Sequence, residues 1–204
     1  MPDKNIIIGI DEVGRGALAG PVTVAAALLP KKLRLKNYAP GKLRDSKKLS
    51  AKQRERWFVY FKDHPKINYA VARVYPRAIE RLNISKAANL AAERAFTRLV
   101  KSEKLKVKSC GVFLDGGLFL GNGLEPGNAK TVIKGDEKIK AVTVASIIAK
   151  VTRDRAMVRL AKTYPQYGFE VHKGYGTKKH LAAIRKYGPS EVHRLTFLPR
   201  RYSI

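Results

Sequence analysis

Gly9-Ile10-Asp11-Glu12-Val13-Gly14-Arg15-Gly16-Ala17-Leu18-Ala19-Gly20 joins two apolar runs, Ile6-Ile7-Ile8 before it and Val22 to Leu29 after it. The flanking runs read as buried strands and the glycines as the turn between them. Two adjacent carboxylates therefore stand where a strand ends, next to a glycine-flanked arginine, a place to hold a divalent metal beside a phosphate. One geometric difficulty is built in. Neighbouring strand residues point to opposite faces, so Asp11 and Glu12 share a site only if the strand bends there. Gly14 and Gly16 permit such a bend.

The pattern continues outward from this stretch. A basic, loop-like segment covers 31–48, broken by Pro30, Pro40 and Gly41. Ser50 is placed to cap a helix over 51–63, and 67–74 alternates like a half-buried strand. Ser85 is the expected cap of a long helix reaching 103, with Ala88, Ala91, Ala92, Ala95, Phe96 and Leu99 at helical spacing. A strand from Val107 to Leu114 ends at Asp115, a glycine-rich loop covers 116–128, and a short strand is expected at Thr131–Ile133. A second long helix is expected over 141–162. Past Pro165 come a helix over 178–187 and another expected after Pro189. Strands mixed with long helices give an α/β fold. The boundaries expected are a catalytic domain over 1–164 and a helical C-terminal segment over 165–204 packed on it.

Composition narrows the function. Lys and Arg number 42 against 16 Asp and Glu, a net charge of +26 spread along 204 residues. Such a field favours polyanions and salt-dependent binding. Cys110 is the only cysteine, which excludes an internal disulfide and a cysteine zinc site. There is no signal-peptide core and no apolar stretch long enough to span a bilayer, so a cytoplasmic protein without membrane contact is expected. The histidines fit no zinc spacing. His172, His180 and His193 are expected to serve structural hydrogen bonds, and His64 to lie exposed. Asp154, beside Arg153 and Arg155, reads as an ion-pair partner.

The few acids are informative by placement. Asp11-Glu12, Asp115 and Asp136 each follow an apolar run and lie within two residues of a glycine. Acids at strand ends can converge at one sheet edge, and hard carboxylate oxygens suit Mg²⁺ or Mn²⁺. Two such ions serve phosphodiester hydrolysis. A basic RNA- or ribosome-binding protein would explain the charge but not the grouped acids.

Seven blocks, in order, carry a family resemblance: Gly9–Gly16, Asp45-Ser46-Lys47-Lys48-Leu49-Ser50, Leu114-Asp115-Gly116, Lys134-Gly135-Asp136, Ala145–Asp154, His172–Thr177 and His193–Phe197. Together they resemble ribonuclease HII, the bacterial type 2 ribonuclease H, over nearly the whole chain. The resemblance implies a ribonuclease H-like fold with a central mixed sheet flanked by helices. It implies metal-dependent endonucleolytic cleavage of the RNA strand in RNA–DNA hybrids, and incision 5′ to single ribonucleotides in duplex DNA, leaving 3′-hydroxyl and 5′-phosphate ends. The family's acidic tetrad falls on Asp11, Glu12, Asp115 and Asp136, holding two Mg²⁺ or Mn²⁺ ions. Its 2′-hydroxyl reader falls on Gly14, Arg15 and Gly16, and its deoxyribose platform on Tyr175. Ser46 and Lys47 fall on phosphate contacts. The implied partners are RNA–DNA hybrids and ribonucleotide-containing duplex DNA, bound by a monomer. Thr143 departs from the family's small apolar residue, with local consequences expected, and the chain leaves little room after the His193 block for a tail that docks a sliding clamp. Another nuclease of the same fold would share the acids but need no 2′-hydroxyl reader.

Overall fold

The computed structural model describes residues 5–35, 39–106, 110–121, 127 and 129–199. Five strands form one sheet in the order β3-β2-β1-β4-β5: β1 (Ile6–Val13), β2 (Val22–Pro30), β3 (Asn68–Val74), β4 (Gly111–Asp115) and β5 (Ala129–Val132). β1, β2 and β3 pair antiparallel, whereas β4 joins β1, and β5 joins β4, in parallel, so the sheet is mixed.

Alternation along β1 sorts the two faces. Ile8 and Ile10 enter one core with Val24, Ala26, Val112 and Leu114, beneath the alanine-rich stripe of α3 (Ile84–Ser102). Ile7, with Ala25 and Ala27, enters the other, beneath Trp57 and Phe61 of α1 (Ala51–Asp63) and Ala145 and Ile148 of α5 (Lys140–Thr163). β2 is buried on both faces, which is why it reads as an unbroken apolar run. α5 comes exceptionally near β1 at Gly9: a Cβ there would lie 2.1 Å from the carbonyl carbon of Ala141. Glycine at this position is what lets the first turn of α5 touch the sheet.

A smaller apolar cluster, Ala19, Met157, Tyr167, Phe169, Ile184 and Leu198, joins residues 165–199 to the loop after β1 and to α5. This segment holds α6 (Phe169–His172) and α7 (Lys178–Tyr187). Among the described residues after Pro189 there is only a 3₁₀ turn, Leu195–Phe197, in place of the expected helix.

Several local expectations are corrected. The cap of α3 is Asn83, not Ser85: Asn83 sits at φ 65° and its side chain accepts from Lys86 N at 3.1 Å. With ψ at 165° this lies outside the αL basin that asparagine usually takes, and the bond to Lys86 N helps hold it there. The seven-residue α2 (Pro76–Leu82), opened by Pro76, was not expected. His64 is buried at the end of α1, where its Nδ1 accepts from Lys66 N and its ring meets Tyr60. Ser50 does cap α1, in a reciprocal capping box with Gln53. The expected strand start at 107–109 and residues 122–126 and 128 of the glycine-rich loop fall outside the described residues.

Candidate active site

Strand register brings the first two acids together. Ile10 pairs with Leu114, so Asp11 and Asp115 occupy the next step on adjacent parallel strands. Both take the odd positions, on the face covered by α5. Asp136 arrives on α4 (Gly135–Lys138), the single turn linking β5 to α5. One carboxylate oxygen from each of Asp11, Asp115 and Asp136 lies within 4.8 Å of the others. Asp11 and Asp136 are buried.

Each acid is held by a specific neighbour. Asp11 bonds Ser146 on α5, and Ser146 Oγ lies 2.8 Å from Ser46 Oγ. Asp115 Oδ1 accepts from Gly135 N at 2.7 Å. The backbone of Asp136 is fixed by Thr143, whose hydroxyl donates to the Asp136 carbonyl at 2.8 Å. Thr143 thus has a defined task beside the site. Asp45, the cap of the 3₁₀ turn Ser46–Lys48, is a further buried acid within reach of Asp136. Asp45 and Ser146 were not singled out in the sequence, although both lie inside the quoted blocks.

Glu12 is placed differently. β1 stays paired through Val13, opposite Thr23, yet Glu12 lies near enough to the cluster for its charge to raise Asp11 and for Asp115 to raise Glu12. Glu12 takes the even face and meets Arg15 at 3.2 Å, while Arg15 reaches on to Ser85 Oγ at 3.0 Å. Its second oxygen, Oε2, is buried without a hydrogen-bond partner among the described residues.

Electrostatics mark the cluster as cation-seeking. Burial, with Glu12 and Asp115 nearby, pushes the Asp11 carboxyl well above its ordinary range. Burial also raises Glu12, against the pull of Arg15, and raises Asp136, with Asp115 adding to it. Like charges gathered away from water disfavour their own ionisation, and a divalent cation removes that conflict. Lys47 is the cation at the rim, its Nζ 3.6 Å from Asp136 Oδ2. Partial burial lowers its ammonium, but Asp136, Asp45, Asp11 and Asp115 outweigh this and raise it.

The remaining candidate residues lie alongside. Gly14 sits at φ 87°, and a Cβ on it would lie 2.1 Å from Arg153 Nε. Gly16 is exposed and a Cβ on it would meet nothing within 4 Å. Tyr175 is half-buried, with the Arg153 guanidinium 5.3 Å from its ring centroid. Ser46 is buried, its hydroxyl engaged by Ser146 and turned away from solvent. Asp154 pairs with Lys150 at 2.8 Å and Arg54 at 3.8 Å, apart from the acidic cluster.

The sequence profile of the family Ribonuclease HII matches residues 8–200. Among curated relatives, ribonuclease HII of Caldicellulosiruptor bescii is 42% identical over 198 residues, covering 97% of this chain and 89% of the relative. Among solved structures, the PCNA:RNase HII complex from Archaeoglobus fulgidus contains a chain that superposes with a TM-score of 0.72 at 25% identity, over 96% of both chains. Bst-RNase HIII in complex with Mn²⁺ shares the fold, with a TM-score of 0.69 at 21% identity, over 92% of this chain and 64% of that one. The architecture is thus that of the ribonuclease H2 and H3 structures. The chain belongs to the ribonuclease HII family, endonucleases that hydrolyse the RNA of RNA–DNA hybrids. No helix among the described residues is long and apolar enough to cross a membrane.

Proposed function

We propose that this chain, besides hydrolysing the RNA of hybrids, incises duplex DNA 5′ to a single embedded ribonucleotide, using two Mg²⁺ or Mn²⁺ ions held by Asp11, Asp115, Asp136 and Glu12. The convergence of three carboxylates within 4.8 Å carries the metal reading. The orphaned Oε2 of Glu12 is a free oxygen ligand on the adjoining side of β1. When bound, the ions supply charge neutralisation at the scissile phosphate and activation of water.

The protein's own groups do the rest. Ser146, Gly135 N and Thr143 orient the acids from behind. Lys47 offers its exposed ammonium to a substrate phosphate, and Ser46 works beneath it through Ser146. Gly16, whose missing side chain nothing in the protein requires, leaves the turn open to a sugar edge, where a 2′-hydroxyl separates ribose from deoxyribose. The ring of Tyr175 packs on the following deoxyribose. Water adds to phosphorus, the P–O3′ bond breaks, and the 3′ oxygen takes up a proton, giving 3′-hydroxyl and 5′-phosphate ends. The protein acts as a monomer in the cytoplasm, with ribonucleotide-containing duplexes as its partners.

A labelled duplex with one ribonucleotide, incubated with Mg²⁺ or Mn²⁺ beside an all-DNA control, tests this. A single cut 5′ to the ribonucleotide, lost with EDTA, is expected. Cleavage of an RNA–DNA hybrid without that cut would overturn the single-ribonucleotide reading.

A further inference from the structure

Arg153 on α5 and Arg194 near the chain's far end are both wholly buried, and neither forms an ion pair among the described residues. Their donors go to backbone carbonyls instead. Arg153 donates from Nε to Pro21 O at 2.9 Å, from Nη2 to Ala19 O at 3.1 Å and from Nη1 to Lys173 O at 2.9 Å. Arg194 donates from Nε and Nη2 to Gly20 O, at 3.0 and 2.9 Å, and from Nη1 to Arg15 O at 2.9 Å. Three consecutive carbonyls, 19 to 21, are thereby gripped from two sides.

Burying a guanidinium without a counter-charge is costly, and apolar packing of the same volume would serve stability as well. What an apolar side chain cannot do is hold several carbonyls in a fixed fork. The carbonyls chosen are telling. Arg153 joins the loop after β1 to Lys173, two residues before Tyr175, and its guanidinium carbon lies over the Tyr175 ring. Gly14 rests directly on Arg153 Nε. One side chain therefore touches both elements that the proposed function assigns to reading ribose followed by deoxyribose.

We propose that Arg153 is a positioning residue for substrate choice: it fixes the Gly14–Gly16 turn and the Tyr175 ring as one unit, and Arg194 braces the intervening carbonyl of Gly20 and that of Arg15 within the turn. This rests on the reading of that turn and of Tyr175 as the parts that recognise the junction.

A double-mutant cycle tests it. The ratio of kcat/KM on a single-ribonucleotide duplex to that on an RNA–DNA hybrid is measured for the unaltered protein, Arg153→Lys, Tyr175→Ala and the double variant. Mn²⁺ binding, followed by calorimetry, reports whether the acidic cluster is intact. Lysine keeps the charge and loses the fork, so Arg153→Lys is expected to lower the ratio about tenfold with Mn²⁺ binding retained. In the Tyr175→Ala background it is expected to lower the ratio no further. An unchanged ratio in Arg153→Lys, or effects that simply multiply, would overturn the proposal. If Tyr175→Ala lowers the ratio and Arg153→Lys does not, only the role of Arg153 falls. If Tyr175→Ala itself leaves the ratio unchanged, the junction reading falls and this proposal with it. Arg194→Lys, which loosens the neighbouring carbonyls of Gly20 and Arg15, enters the same cycle should Arg153→Lys fail to fold.

Discussion

Ser46 Oγ lies 2.8 Å from Ser146 Oγ, and Ser146 bonds Asp11. An ionised Asp11 needs Ser146 to donate, which leaves Ser146 to accept from Ser46. A residue in a basic loop thus acts on a strand carboxylate through a helix. Ser46→Ala is expected to lower kcat about tenfold, as loss of support behind a metal ligand commonly does, with KM for the duplex unchanged. A raised KM at unchanged kcat, measured by steady-state kinetics, would instead place Ser46 on the substrate phosphate.

Protons and metal compete for the acidic cluster. Asp11 and Asp136 have folded-state pKa values raised by burial, so their contribution to stability is fully present below the ordinary carboxylate range and is lost as pH rises through the raised values. The metal-free protein is therefore expected to lose stability from this source between mildly acid and neutral pH. Added Mg²⁺ restores it, with a shift in Tm that grows with pH. Asp11→Asn is expected to shrink that shift, to stabilise the metal-free form at neutral pH, and to cut cleavage by about 10²-fold or more. Thermal melts with and without Mg²⁺ across pH 5–8 check this; a pH-independent shift would contradict it.

Gly14 and Gly16, two residues apart, are expected to respond to alanine in opposite ways. At Gly16 the new Cβ meets only open space, so Gly16→Ala is expected to leave Tm nearly unchanged while raising KM. At Gly14 the Cβ would collide with Arg153 on a backbone at φ 87°, so Gly14→Ala is expected to destabilise by at least ~1–2 kcal/mol. Paired melts and kinetics decide, and a Gly16→Ala protein that unfolds early would show that the turn has an internal reason for its glycine.

The histidine cluster is poised the other way. His172 Nε2 meets Tyr167 O, His180 Nδ1 meets Tyr175 O, His193 Nδ1 accepts from Ser190 N, and His180 and His193 share a proton between their Nε2 atoms at 3.1 Å. Every ring is satisfied as a neutral tautomer. Burial lowers His180 and His193 to about 4 each. Stability from these groups is present above their unfolded value of 6.5 and is lost as pH falls from there toward 4, by up to ~1.4 kcal/mol per pH unit for each ring. The loss is expected to be indifferent to Mg²⁺, which separates it from the acids, and to appear as faster hydrogen exchange around Tyr175. Imidazolium signals from His180 at pH 6 by NMR would contradict it.

Much of the framework is readable from pattern. The apolar runs give β1 and β2, the alanine spacing gives α3, and Ser50 with Gln53 marks α1. The alternation of Asp11 and Glu12 also foretells that they leave β1 on different faces, with Glu12 still close enough for its charge to raise Asp11. What pattern does not carry is register. Only the parallel pairing of β1 with β4 explains why Asp115 meets Asp11. Short elements also escape: α2 has seven residues and only Pro76 announces it. The buried arginines are hidden by their own composition, since in a chain with 42 basic residues Arg153 and Arg194 look like two more surface charges.

The grip of residues 190–194 on the loop after β1 sets an order of assembly. Gly20 N bonds Val192 O, Arg194 N bonds Leu18 O, and Ala19 forms a bridge with His193, across more than 170 positions of sequence. During synthesis the sheet strands emerge before residues 190–194, so residues 18–20 lack these partners until residue 194 has left the ribosome. Contacts of such separation close late and slowly. A chain cut before residue 190 would keep its carboxylates on the sheet while residues 18–20 lost these partners.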